Sequence, residues 1–148
     1  MTTNPPLTRT IGETERTLQA LLQRYLATAN ISFQQWTVLV YLAGVGQLSR
    51  SALVGRLVDG RIATAEETEA VLASMHSRSL IATATRGEDA VVFLSDAGKG
   101  AFAPLRERIT AITGSLFDDL PAADLAATRR TLETVTRRAG QLLSPNVA

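Results

Sequence analysis

The sequence predicts a mainly α fold carrying one small β-hairpin, and three observations predict it. Apolar residues recur at helical spacing along most of the 148 residues. Residues 81–94 instead alternate with the two-residue period of strands, around the turn Arg86-Gly87-Glu88-Asp89. Directly before them, residues 64–79 open with a capping sequence and read as a helix. A helix followed at once by a hairpin is the second half of a winged helix-turn-helix. There the helix enters a DNA major groove and the hairpin tip reaches the backbone or minor groove beside it. The expected fold is a winged helix-turn-helix over 32–100, flanked by pairing helices over 8–29 and 101–143, all in one domain spanning 1–148.

Each element has its own warrant. Met1–Leu7 is a polar, proline-containing lead. From Thr8, the residues Ile11, Leu18, Leu21, Leu22, Tyr25, Leu26 and Ala29 form a helical stripe, and Asn30 is a stop. Ser32 and Gln35 form a capping box that opens a second helix. That helix is apolar nearly all round, hence central, and the sequence Gly44-Val45-Gly46 ends it. Ser49 caps a short third helix whose expected inward residues are Ala52, Leu53, Leu57 and Val58. Asp59-Gly60 is a turn dipeptide, and Thr64 with Glu67 forms a second capping box. The helix it opens turns Thr68, Val71, Leu72 and Met75 inward. Two strands follow, over 81–85 and 90–94. Ser95 caps a helix carrying Phe102, Leu105, Ile109, Ile112 and Leu116, and the Asp118–Pro121 stretch breaks it. The last helix carries Leu125, Thr128, Leu132, Val135, Ala139 and Leu142. These two helices repeat apolar residues at alternating spacings of three and four, the heptad seam of helices that pair. A compact centre of about 65 residues cannot bury such seams, so they and the first stripe predict burial against one another and a second chain.

Composition narrows the function. Hydrophobic content of 45% with 20% charged residues is globular. There is no apolar run long enough to span a membrane and no signal-peptide pattern at Met1–Pro6, so a cytoplasmic location is expected. The absence of cysteine removes disulfides, thiol nucleophiles and Cys-based zinc sites. The lone His76 has no partner at ligand spacing, and no nucleophile–base pair or phosphate loop stands out, so neither an enzyme nor a cofactor is expected. Residues 32–100 hold six basic residues (Arg50, Arg56, Arg61, Arg78, Arg86, Lys99) against seven acidic ones (Asp59, Glu66, Glu67, Glu69, Glu88, Asp89, Asp96), a net charge of −1. That is a weak electrostatic footprint for DNA binding.

Three stretches carry a family resemblance: Ser32-Phe33-Gln34-Gln35-Trp36-Thr37-Val38-Leu39, Leu48-Ser49-Arg50-Ser51-Ala52-Leu53, and Leu94-Ser95-Asp96-Ala97-Gly98-Lys99-Gly100. Their order and spacing resemble the MarR (multiple antibiotic resistance regulator) family of winged-helix transcription factors over Thr8 to Leu143. The resemblance implies a triangular homodimer whose terminal helices form the interface. Each lobe would read half of a pseudo-palindromic operator in double-stranded DNA. A crevice between dimer helices and lobe would take small aromatic or phenolic effectors. Two departures stand out. Glu66, Glu67, Glu69 and Ala70 occupy positions where the family usually has Ser, Thr and a groove-facing Arg. The hairpin tip is also shorter, with Arg86 as its one basic residue.

Candidate site residues follow, each with a competing bland role. Ser49, Arg50 and Ser51 at a helix N-terminus suit phosphate. Arg61, with Arg78, flanks the presented helix and either touches backbone or serves solubility. Thr64, Ala65, Glu66, Thr68 and Glu69 form the front that samples base edges. The glutamates there either accept from cytosine amino groups or merely suit the helix dipole and cap. Arg86 is a wing contact or a solvated turn residue. Tyr25, Phe33 and Trp36 line an effector crevice or are plain core. Ile11, Leu18, Leu105, Ile109, Ile112, Leu116, Leu125, Leu132, Val135 and Leu142 are the expected dimer interface. The function so predicted is a homodimeric DNA-binding regulator, a repressor relieved by ligand. The alternative is a winged-helix dimer with weak or lost DNA binding, acting as a protein- or ligand-binding module.

Overall fold

The computed structural model describes residues 4–145, so the start of the expected polar lead, 1–3, lies outside the described residues, as do 146–148. The elements run α1 (Leu7–Ala27), α2 (Phe33–Val45), β1 (Gln47–Ser49), α3 (Arg50–Asp59), α4 (Ala65–Ser77), β2 (Ile81–Arg86), β3 (Asp89–Leu94), α5 (Asp96–Phe117) and α6 (Ala122–Leu143). The chain packs as two units, Met1–Thr110 and Ala111–Ala148, with α5 contributing to both.

The first unit is built on α2. Trp36, Val38, Leu39 and Leu42 are buried there, and Leu26 of α1, Leu53 and Leu57 of α3, and Leu72 and Met75 of α4 close over them. Val92 and Leu94 of β3 and Phe102 and Leu105 of α5 complete the core. On α3 the inward face is Leu53, Leu57 and the half-buried Val54; the expected inward Ala52 and Val58 are exposed, one step round the helix.

Helix starts follow the capping rules. Ser32 Oγ accepts from the amide of Gln35 at 3.1 Å while Gln35 Oε1 accepts from the amide of Ser32 at 2.9 Å. Thr64 and Glu67 exchange the same pair at 3.1 and 3.3 Å. Helix ends share a second device. Asn30, Arg61 and Ser79 each take a left-handed φ of 53–59°. The next residue, Ile31, Ile62 or Leu80, then donates its amide back to Leu26, Leu57 or Met75. These are Schellman closures, each pinning a half-buried or buried apolar residue over the helix it ends. The left-handed residue after α3 is Arg61, whereas Gly60 of the expected turn keeps φ −77°.

The sheet departs from the expected hairpin. It has three antiparallel strands in the order β1-β3-β2, because Gln47–Ser49 pairs with Val91–Phe93 along the free edge of β3. The tip is tighter as well: Arg86 pairs with Asp89, leaving Gly87 and Glu88 as the turn. Gly87 takes φ 68°, the left-handed first position that a two-residue hairpin loop requires.

Where the hairpin returns, Ser95 caps α5 by accepting from the Gly98 amide at 3.0 Å, and its hydroxyl donates to the carbonyl of Ser79. A Cβ built on Gly98 would overlap the carbonyl oxygen of Leu80 and lie 2.9 Å from its carbonyl carbon. Backbone cannot yield there as a side chain would. Gly98→Ala is therefore expected to cost about 3 kcal/mol, a fall in Tm of roughly 6–12 °C in a thermal unfolding scan.

In the second unit, α6 has no buried residue. Leu116 of α5 and Leu132, Val135 and Leu142 of α6 are 41%, 38%, 44% and 78% exposed.

Candidate nucleic-acid interface and ligand cavity

The presented helix α4 is oriented by its buried stripe. Thr68, Leu72 and Met75 lie within 1% of complete burial, so the opposite side carries Glu66, Ala70, Ala73 and Ser77. Thr68 cannot sample base edges as expected: it is wholly buried and its hydroxyl donates to the Thr64 carbonyl at 2.8 Å. Ala73 and Ser77 were not among the candidates, although continuing from Glu66 by four, three and four residues reaches them.

The three glutamates have three different situations. Glu67 is engaged in the cap with Thr64. Glu69 takes an ion pair from Arg50, whose Nε lies 3.1 Å from Oε2 and whose Nη2 donates to the same oxygen. Glu66 is exposed and has no hydrogen-bonded or ionic partner among the described residues. Beside Arg50, Ser49 Oγ accepts from the Ala52 amide at 3.1 Å and lies 3.3 Å from Ser51 Oγ. Ser51 in turn donates to Asp89 Oδ2 at 3.3 Å, at the base of the hairpin tip. The start of α3, the front of α4 and the wing are thus joined by side chains at one surface.

The basic residues divide likewise. Arg56 lies over the ring of Tyr41, 5.7 Å from its centroid. Arg78 donates to the carbonyls of Asn30 at 2.6 Å and Ala29 at 3.3 Å and approaches Gln35 Oε1 at 3.4 Å. Gln35, itself buried, donates to Ser74 Oγ at 3.1 Å. Arg78 is thus a clamp between the ends of α1 and α4. Arg61 and Arg86 are exposed, with no ionic partner among the described residues.

A cavity of about 310 Å³ opens between α2 and α5, lined by Trp36, Val40, Gly44, Phe102, Arg106, Ile109 and Thr110. The rings of Trp36 and Phe102 meet at 5.2 Å and 31°, and the guanidinium of Arg106 lies 5.7 Å from the Phe102 centroid. Of the three expected aromatic residues only Trp36 lines it. Tyr25 packs on the core beneath Arg108, 5.5 Å away, and Phe33 packs on the core at the start of α2. Phe102 and Arg106 were missed because their spacing on α5 reads as core and surface; only the fold brings them opposite α2.

The expected interface residues also separate. Leu105 is 4% exposed within the first unit's core and has no surface to offer a partner. Ile11 and Ile109 are half-buried, Ile109 packing on that core, and Leu18 is 38% exposed. In the second unit Ile112 and Leu125 are half-buried. There Phe117, Leu125 and Leu132 line an open groove with Arg129, Glu133 and Arg137.

This architecture is a winged helix-turn-helix with helical extensions, the fold of the MarR-family transcriptional regulators. It is similar to AbsC, a MarR family transcriptional regulator from Streptomyces coelicolor, with a TM-score of 0.79 at 16% identity over 91% of this chain and 93% of that one. It is also similar to a mutant MarR from E. coli complexed with operator DNA (TM-score 0.74, 19% identity, 88% and 93% covered) and to NadR in complex with 4-hydroxyphenylacetate (0.73, 14%, 91% and 95%). No protein-family model and no curated protein matches the sequence. No helix among the described residues is long and apolar enough to cross a membrane.

The Arg78 clamp makes a prediction of its own. Arg78→Ala should lower stability by about 1–2 kcal/mol in urea unfolding, and Arg78→Lys should recover only part, because one ammonium cannot span two carbonyls as the planar fork does.

Proposed function

We propose that this protein is a cytoplasmic, homodimeric DNA-binding regulator, a repressor whose grip is relieved by a small aromatic or phenolic ligand. The observation that carries the reading is the joined surface of α3 start, α4 front and wing on a fold shared with a regulator whose structure contains operator DNA. In this reading Ser49–Ser51, Arg61 and Arg86 position each lobe on phosphates, with Thr64 and Ala65 at the α4 N-terminus beside them. Glu66 and Glu69 face base edges, and Ala70 and Ala73 leave room for thymine methyl groups.

The exposed seam of Leu116, Leu132, Val135 and Leu142, with Ile112, Leu125, Ile11 and Leu18, supports pairing of two chains. Pairing would set two lobes about one helical turn of DNA apart. The Trp36–Phe102 cavity, with Arg106 at its side, suits a flat ring bearing a negative charge, and NadR holds 4-hydroxyphenylacetate. Such a ligand acts by preferring one spacing of the lobes over another.

One observation favours a second reading, a dimer that binds a protein or ligand without gripping DNA: α4 has neither lysine nor arginine. A mobility shift on the protein's own promoter region, with excess non-specific DNA at moderate salt, separates the two. A retained, competitor-resistant complex supports the regulator; no shift supports the module. In the same assay Arg86→Ala should weaken binding about equally across sequences and reduce the salt slope by about 0.9, one phosphate contact. Unchanged affinity and slope remove the wing from the mechanism. Leu132→Asp with Val135→Asp should convert the dimer to monomer in sedimentation equilibrium, since each buries an unpaired carboxylate at roughly 2 kcal/mol or more.

A further inference from the structure

Arg50 and Glu69 are 19 residues apart, on the two helices of the helix-turn-helix, and they are paired. The pairing is side-on: Nε of Arg50 lies 3.1 and 3.4 Å from the two oxygens of Glu69, and Nη2 donates to one of them. The side chains remain 39% and 48% exposed, so a DNA strand can reach both. A guanidinium uses the same fork of donors for carboxylate and for phosphate. Glu69 occupies the Nε and Nη2 edge of that fork, so a phosphate can take this edge only in place of Glu69.

We propose that Glu69 is a specificity-determining residue that acts as an internal rival of phosphate for Arg50. The inference rests on the DNA-binding reading above. On arbitrary DNA, a phosphate that captures Arg50 by that edge releases Glu69 as an unpaired carboxylate among phosphates. The attraction of Arg50 to that phosphate is offset by loss of the ion pair and by repulsion of the freed carboxylate. On a site that offers a cytosine amino group to α4, the released carboxylate accepts from it, and both groups end paired. The pair thus penalises arbitrary sequence more than the cognate one. It accounts for an acidic residue on the front of a helix presented to a polyanion. No other described side chain competes for either partner: Ser51 and Asp89, the nearest polar pair across the same surface, are bonded to each other.

The test is a fluorescence-anisotropy titration of full-length wild type, Glu69→Gln, Arg50→Ala and the double variant. The probes are a labelled random-sequence duplex and a promoter-region duplex, each over a salt series. Glu69→Gln should bind the random duplex about two- to fivefold tighter, with a salt slope steeper by about 0.9, and should bind the promoter duplex with little gain. In the Arg50→Ala background the Glu69→Gln gain should disappear. Glu69→Ala, which should match Glu69→Gln on the random duplex and bind the promoter duplex more weakly because it has no acceptor for cytosine, guards against an effect peculiar to one replacement. An unchanged random-duplex affinity in Glu69→Gln overturns the proposal. So does an equal gain with and without Arg50, which would make Glu69 a simple repulsive charge. If wild type and every variant fail to bind the random duplex at the lowest salt, the DNA-binding reading falls and this inference with it. If wild type binds and Glu69→Gln changes nothing, only this inference falls.

Discussion

The carbonyls of Ser79 and Leu80 hold three elements at one point, and the orientation of the presented helix depends on them. Leu80 closes α4 by donating its amide to Met75, while its carbonyl accepts from the amide of Ser95 at 3.2 Å where β3 ends. The Ser79 carbonyl accepts the hydroxyl of the same Ser95, which caps α5 through Gly98. The end of α4, both feet of the hairpin and the start of α5 therefore meet within a few residues. A side chain at Gly98 would force them apart. The angle between presented helix and wing is a consequence of this junction, and that angle decides whether both can touch one duplex.

Around that frame the acidic face of α4 resolves into separate chemistry. Glu67 and the first turn belong to the cap, where a carboxylate also meets the positive end of the helix dipole. Glu69 is offset by Arg50, and Asp89 at the wing accepts from Ser51. The net −1 of residues 32–100 already counts the Arg50–Glu69 pair as zero. It also conceals a shortage of free cations, since Arg50, Arg56 and Arg78 are already engaged.

Much of this was legible because it is local. Capping boxes at Ser32 and Thr64, the cap at Ser49 and the alternation of β3 depend on residues within four positions, and the chain states them directly. Non-local partners were not legible. β1 is three residues long, too short for alternation to register, and it exists because β3 has a second edge to pair. Leu105 and Leu116 share one uninterrupted spacing, yet the first closes a core and the second stays exposed; a period names a face, not what covers it. Arg106 and Phe102 became cavity residues only once α5 lay against α2. Thr68 showed both signals at once, a polar residue at an inward position, and burial with a bond to its own helix decided the matter.

The same network suggests how a ligand's site and the presented helix can share an equilibrium in the proposed regulator. The cavity is walled by Trp36, Val40 and Gly44 of α2, and the residue before Trp36 is Gln35, which bonds Ser74 of α4 and is approached by Arg78. A shift of α2 to admit a ring between Trp36 and Phe102 cannot leave Gln35 where it is. Because Gln35 also forms the cap of its own helix, its bonds leave little slack. An occupied cavity would then be felt first at the C-terminal end of α4, the end opposite Glu66. A packed interior passes such strain on instead of absorbing it.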